Sequence, residues 1–459
     1  MKIILYNAII VDRGCRRLGR VTVVDQLIAS VEADPTAPAD DGEVDLAIDL
    51  NGAYLLPGAI DTHVHFREPG LTRKGSIASE SAAAVSGGVT SYLEMPNTAP
   101  PTITIEAVED KIGRASKSSL ANFGFFIGAT NSNIDQLLAV DRSKVPGVKL
   151  FMGSSTGNML VDDDSTISRL FRDFKGVIAV HAEDEATIAA NRARLKEQYG
   201  DEAPVTLHHQ LRSAEACLTA TARAVELAKK FDARLHVLHI STAAELPLFA
   251  SGQVASKRIT AETCPHYLLF SSDMLACPDG HFKKCNPAIK SEADRQALIQ
   301  AVADGVIDTI ATDHAPHTRD DKAGSLFTAA SGMPGIKFML PMLFDLAADP
   351  ATPISIEQIV EKCCNNPAAL YGIKRRGAIE PGYFADLAVV APCDPYTITH
   401  ADALSHLPAD YPQGPDWTPY AGLTCSHRVA LTLVNGQILF NGSKINPDAS
   451  PAMPLAFNQ

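Results

Sequence analysis

From residue 57 to about residue 313 the chain repeats one pattern, a short apolar run followed by an amphipathic stretch. The runs are LLPGAIDTHVHF, GVTSYLEMP, NFGFFIGAT, GVKLFMG, GVIAVHAED, RLHVLHIST, KRITAETCP and VIDTIATDH. Between most of them lie segments with helical spacing, such as TIEAVEDKIGRAS and AEACLTATARAVELAKKF. Strands that alternate with helices predict parallel pairing through right-handed crossovers. Eight such units predict an α/β fold of the closed (β/α)8, or TIM-barrel, kind.

The flanks carry a different pattern. Residues 1–55 are short alternating strands, and the same style returns from residue 377 in GAIEPGYFADLAVVAP and HRVALTLVNGQILFNG. The Asn435-Gly436 pair marks a tight hairpin turn. This predicts a small β-sandwich built from both termini, residues 1–55 and 377–459, with a catalytic barrel domain of residues 56–376 inserted between them. ADPTAPADDGE and the Pro-rich tail after Asn446 have the composition of surface loops, and no sequence repeat or low-complexity linker stands out.

Composition narrows the setting. The 459 residues are 46% hydrophobic and 20% charged, as in a soluble globular protein, and no apolar run reaches membrane-spanning length. The opening MKIILYNAIIVDRG alternates and lacks a small-residue cleavage pattern, which argues for strands over a signal peptide. Nine cysteines without framework spacing fit reduced thiols in the cytoplasm. A formal net charge of −13 and the lack of a Lys/Arg block disfavour nucleic acid as a partner. An anionic substrate must then be drawn by local cations, whose reach in physiological salt is about 8 Å.

Barrel enzymes carry their sites at the C-terminal ends of the strands. Strand one ends with His63, His65 and Arg67, and residues two apart in a strand share one face. Strand four ends with Lys149, strand five with His181, strand six with His236 or His239, and strand eight with Asp313. Imidazole and carboxylate are zinc ligands, and several of them at one barrel mouth can hold one or two ions with a position left for water. Each has an ordinary alternative: Lys149 as a lysine reaching water, His181 as a core histidine, Asp313 as a helix cap. Their shared position at one barrel end is the argument for a site. An ammonium beside divalent cations would be repelled, so Lys149 should be neutral or converted by carbon dioxide to a carbamate with two bridging oxygens.

With these residues in place, the sequence resembles the amidohydrolase superfamily, and within it the dihydroorotase family of the bacterial long-chain kind. DTHVHFREPGLTRKGSIASESAAAVSGGVTSYLEMPNT resembles the family's first motif and IATDHAPHT its last, while GVKLFMG, VHAEDE, LHISTA, ETCPHYL and KCNPAIKSEADR follow between them in the family's order. The resemblance covers essentially the whole chain. It implies metal ligands at His63, His65, His181, His239 and Asp313, with Lys149 at the position carboxylated in many members. The implied cofactor is Zn2+, two ions bridged by carboxylated Lys149 or a single ion. The resemblance selects His239 over His236, and His236 is then expected to pack outside the barrel.

The implied reaction is the reversible interconversion of N-carbamoyl-L-aspartate and L-dihydroorotate in pyrimidine synthesis. For ring opening, metal activates water and polarises the cyclic amide carbonyl. Asp313 takes a proton from the water and passes it to the departing ring nitrogen. Both substrates carry carboxylates, which suit the planar fork of Arg67. By resemblance Asn97, Asn286 and His317 join it in substrate binding. Glu262 and His266 are expected behind the ligands, SGMPG at residues 331–335 matches a segment whose backbone meets substrate, and GSSTGN at residues 153–158, with Thr156 at its tip, is expected to be a lid or a rigid turn. A homodimer and association with aspartate carbamoyltransferase are compatible with the family. Hydantoinase or dihydropyrimidinase and allantoinase are the rival activities, disfavoured by Arg67, Asn97 and TDHAPH. A non-catalytic scaffold has no need for all six metal-ligand positions.

Overall fold

The computed structural model describes residues 1–37, 44–153, 159–446, 448–449 and 452–458, so residues 154–158 of the expected lid lie outside the described residues. Its centre is a ring of parallel strands. In order these are Ala59–Val64, Val89–Glu94, Asn122–Phe125 continued by Ile127–Gly128, Gly147–Phe151, Val177–His181, Arg234–Val237, Ile259–Thr263 and Thr309–Ile310. Each falls in one of the eight apolar runs. Parallel ladders join the first three strands and, separately, Ile127–Gly128 through to Thr309–Ile310. Phe126 N donates to Glu94 O at 3.0 Å where one ladder passes into the other.

The closing seam is unusual because strand eight is only two residues long. A side chain completes it: Asp61 on strand one accepts from Thr312 N at 3.0 Å and from the Thr312 hydroxyl at 2.5 Å. Burial pushes the Asp61 carboxyl up to about 6, against the pull of these bonds. Beyond it, Val64 bridges His314 in parallel, and His65 N donates to His314 O at 2.7 Å. The first and last barrel strands are thereby locked beside His63, His65 and Asp313.

Helices cover the ring, and their starts are legible in the capping residues. Ser76, Asp163, Asp184, Ser213 and Ser291 each accept a backbone N–H at the head of a helix. The helix Ala214–Phe231 turns Ala216, Ala220, Ala224 and Ala228 inward, small residues that allow close approach to the strands. Among the described residues no helix is long and apolar enough to cross a membrane.

Both termini build one mixed sheet of eight strands, in which Tyr54–Pro57 pairs antiparallel with residues 387–390 and so stitches the N-terminal strands to the C-terminal ones. The sheet folds over a core of its own, sandwich fashion, in which Leu5, Val21 and Ile28 of one wing join Leu387, Val389 and Leu433 of the other. Asn435 and Gly436 turn the last hairpin with φ of 49° and 76°, the positive pair a tight hairpin needs.

Candidate metal centre and substrate pocket

Nitrogens of His63 and His65 and a carboxylate oxygen of Asp313 lie within 4.8 Å of one another. Asp313 Oδ1 stands 3.3 Å from His63 Nε2 and 3.1 Å from His65 Nε2. Donors on one tetrahedral zinc at about 2.0–2.1 Å would be separated by roughly 3.3 Å. The far nitrogen of each ring is already held: His63 Nδ1 is 2.9 Å from Glu262 Oε1, and His65 Nδ1 is 2.7 Å from Asn97 Oδ1. Those oxygens accept, so each neutral ring carries its proton on Nδ1 and presents a bare Nε2 to the centre. Burial favours the neutral form of His65, pushing it down to about 4.

A second imidazole pair faces the same space. His181 Nδ1 lies 2.9 Å from His239 Nε2, and His181 Nε2 lies 3.0 Å from Glu183, which Arg212 also holds. Burial lowers the pKa of both imidazoles. Lys149 sits within electrostatic reach of both groups, since Asp313 raises its pKa while it lowers that of His181 and His239. It is 1% exposed, and among the described residues its Nζ meets the Phe151 ring at 4.7 Å and no hydrogen-bond acceptor. Burial pushes it down to about 7, so much of it is free amine at neutral pH.

Three of these side chains are aimed by left-handed backbone: Arg67 has φ 69°, His239 φ 43° and Asp313 φ 47°. Non-glycine residues rarely adopt this region, and it concentrates where the surrounding structure enforces a particular side-chain direction.

The six donors open onto a cleft of about 520 Å³ whose wall also includes Arg67, Asn97, Asn286, Ser331 and Gly332. Arg67 Nε donates to Pro316 O at 3.0 Å, and Nη2 lies 3.1 Å from His317 Nε2. The Asn286 side-chain oxygen is buried without a hydrogen-bond partner among the described residues. His317 stands beside Arg67 and Gly332, off the lining itself. Nine of the ten residues expected from sequence to serve the site therefore share one cleft wall, and the tenth stands against it.

The sequence profile of the Amidohydrolase family matches residues 54–439. The chain belongs to this family. A dihydroorotase of Halobacterium salinarum is 37% identical over 421 residues, covering 90% of this chain and 92% of that protein. An allantoinase of Streptomyces avermitilis is 34% identical over 446 residues, 96% of this chain and 95% of its own. Among solved structures, the L-hydantoinase (dihydropyrimidinase) from Arthrobacter aurescens superposes with a TM-score of 0.90 at 25% identity and covers 99% of both chains. The family is in general metal-dependent, in keeping with the His63, His65 and Asp313 cluster.

One expectation for this amidohydrolase is overturned. His236 does not pack outside the barrel. It pairs in register with Ala179 and turns inward, where its Nδ1 lies 2.8 Å from the Thr260 hydroxyl and its Nε2 3.5 Å from Glu262. Alternation fails between His236 and His239 because the strand ends at Val237 and the chain twists to positive φ at His239. Glu262 does stand behind His63, as expected, whereas His266 packs on Tyr267 with its Nε2 unbonded among the described residues.

The amidohydrolase wall also rests on a lysine that sequence reasoning missed. Lys322 Nζ, fully buried, donates to the carbonyls of Lys284, Ala330 and Gly332 at 2.8, 3.0 and 2.9 Å. It ties the 330–332 wall segment to the segment bearing Asn286. Nothing in the local pattern of DDKAGS distinguishes it from a surface lysine.

Proposed function

We propose that this amidohydrolase is a zinc-dependent dihydroorotase that interconverts N-carbamoyl-L-aspartate and L-dihydroorotate in pyrimidine synthesis. Arg67 carries the reading. The residue is 5% exposed on the cleft wall, and among the described residues its guanidinium donates to a carbonyl and stands 3.1 Å from the His317 ring, with no carboxylate in ion-pair range. A buried cation without an anion costs several kcal/mol, and burial pushes Arg67 down to about 10. A substrate carboxylate supplies the missing partner in bidentate geometry. Hydantoin and allantoin bring no such group.

His63, His65, Lys149, His181, His239 and Asp313 would hold the metal, Lys149 as its carbamate. When bound, the metal polarises the amide carbonyl and acidifies water. Arg67 anchors the substrate carboxylate and Asn286 Oδ1 accepts from a ring N–H. Asn97 and Glu262 hold the two strand-one imidazoles. Asp313 receives the proton of the attacking water and delivers it to the ring nitrogen as the C–N bond breaks, and the synthetic direction reverses both transfers. The nine unpaired cysteines support a cytoplasmic setting.

The test is turnover by purified, zinc-supplemented protein of L-dihydroorotate and N-carbamoyl-L-aspartate, with hydantoin and allantoin alongside and metal counted per chain. Turnover confined to the first pair is expected. Equal or faster turnover of hydantoin or allantoin overturns the reading.

A further inference from the structure

We infer that Lys74 is a positioning residue for substrate recognition, fixing the ring proton of His317 on Nε2 so that the neighbouring Arg67 guanidinium stays open to a carboxylate. The inference rests on the pocket reading above and adds a residue to it.

Lys74 lies in the turn between barrel strand one and the helix Ile77–Ser86, with its backbone N bonded to Leu71 O at 3.0 Å. Its Nζ reaches His317 Nδ1 at 3.1 Å. An ammonium only donates, so Nδ1 is the acceptor and the ring proton is on Nε2. A second contact agrees: Nε2 lies 3.1 Å from Ser331 O, and a carbonyl only accepts. The opposite tautomer would need a partner for Nδ1–H. The nearest carboxylate, Asp321, is 3.6 Å away and is already engaged by both terminal nitrogens of Arg73 and by Thr318 N. The ring stays neutral because it is buried and because Arg67, Lys74 and Lys322 surround it, outweighing Asp321.

The consequence falls on Arg67. Nη2 is 3.1 Å from Nε2, and with the proton on Nε2 these are two donors side by side. His317 therefore cannot take a hydrogen from the guanidinium. In the other tautomer Nε2 would accept from Nη2 and draw the fork away from substrate. The Nε2 proton goes to Ser331 O, so the Arg67 guanidinium, on a residue 5% exposed, is left as the donor for an anionic oxygen. Lys74 sets that arrangement through His317 and is not among the described residues that line the cleft.

The experiment compares the wild type with Lys74→Met and Lys74→Arg, all zinc-loaded, by ring 15N NMR of histidine-labelled protein. His317 is assigned by its loss in His317→Gln, and kcat and KM are measured for L-dihydroorotate. The wild type should show His317 protonated on Nε2. Lys74→Met should move the proton to Nδ1 and raise KM roughly tenfold, the equivalent of about 1.4 kcal/mol, while kcat falls far less. Lys74→Arg, again a pure donor, should restore both. An Nδ1 proton in the wild type, an unchanged tautomer in Lys74→Met, or equal damage to kcat and KM overturns the inference. Failure of the wild type to turn over L-dihydroorotate would sink the dihydroorotase reading instead, and the NMR comparison would still decide the role of Lys74.

Discussion

Glu262 on barrel strand seven reaches His63 on strand one, its Oε1 2.9 Å from the ring Nδ1, while its Oε2 accepts from the Thr62 hydroxyl at 2.9 Å. Burial alone would raise this carboxyl, but His63 and His236 hold it down to about 2, so it stays an anion that orients the imidazole. Glu262→Gln should keep the fold and weaken zinc binding by roughly 10–100-fold, the usual effect of losing the group behind a ligand. Competition with a chelator measures it, and unchanged affinity would contradict the role.

Arg67→Met separates activity from stability. Loss of a charge-assisted bidentate contact should lower kcat/KM for L-dihydroorotate by about a hundredfold or more. The same change removes a buried cation that, among the described residues, has no carboxylate in ion-pair range, so the urea midpoint of the substrate-free protein should hold or rise. A fall in both would recast Arg67 as a structural residue.

Lys149→Ala should lower the metal bound per chain, and short carboxylic acids should partly restore it by supplying oxygens where the carbamate would stand. Full metal content in the variant without any added acid counts against bridging.

Asp313→Asn keeps the volume and removes the proton acceptor. Turnover should fall by about 10²–10⁴-fold, the range for a lost general acid–base group, with the circular dichroism spectrum retained. Near-normal turnover would assign the proton transfers to another residue.

Lys322 gives a pH signature of stability. Burial pushes its folded-state pKa down to about 7 from the ordinary lysine value of 10.5. Between those values the unfolded chain binds a proton that the folded chain has released, so this group makes stability rise with pH across the window and weighs against folding below it. Urea midpoints from pH 7 to 10 should climb in the wild type and climb less in Lys322→Met. Equal slopes would show that the three carbonyl bonds keep Lys322 charged.

The barrel was legible because each strand is buried along all or nearly all of its length and shows as a compact apolar run between capped helices; even two-residue strand eight kept its flanking VIDTIATDH pattern. The donors were legible wherever they sit at strand ends, as His63, Lys149 and His181 do. Between His236 and His239 the residue pattern did not choose, because His239 lies two residues past its strand in a left-handed turn, and the expectation that His236 packs outside the barrel failed for the same reason. Lys74, Arg212 and Lys322 were unreadable on other grounds. Each acts on a residue fixed by tertiary packing, as when Lys74 meets His317 across 243 positions, and no local period records such a meeting.

The seam at Asp61 and Thr312 also has a bearing on how the protein comes into being. His65 and Asp313 are 248 positions apart, and the bonds that bring them together are those that close the ring. During synthesis the first histidines emerge with nothing opposite them, and the centre exists only once the eighth strand has arrived and docked. A nascent or truncated chain lacking that strand has neither the His63, His65 and Asp313 cluster nor a closed ring, so closing the ring and gathering the cluster are one event.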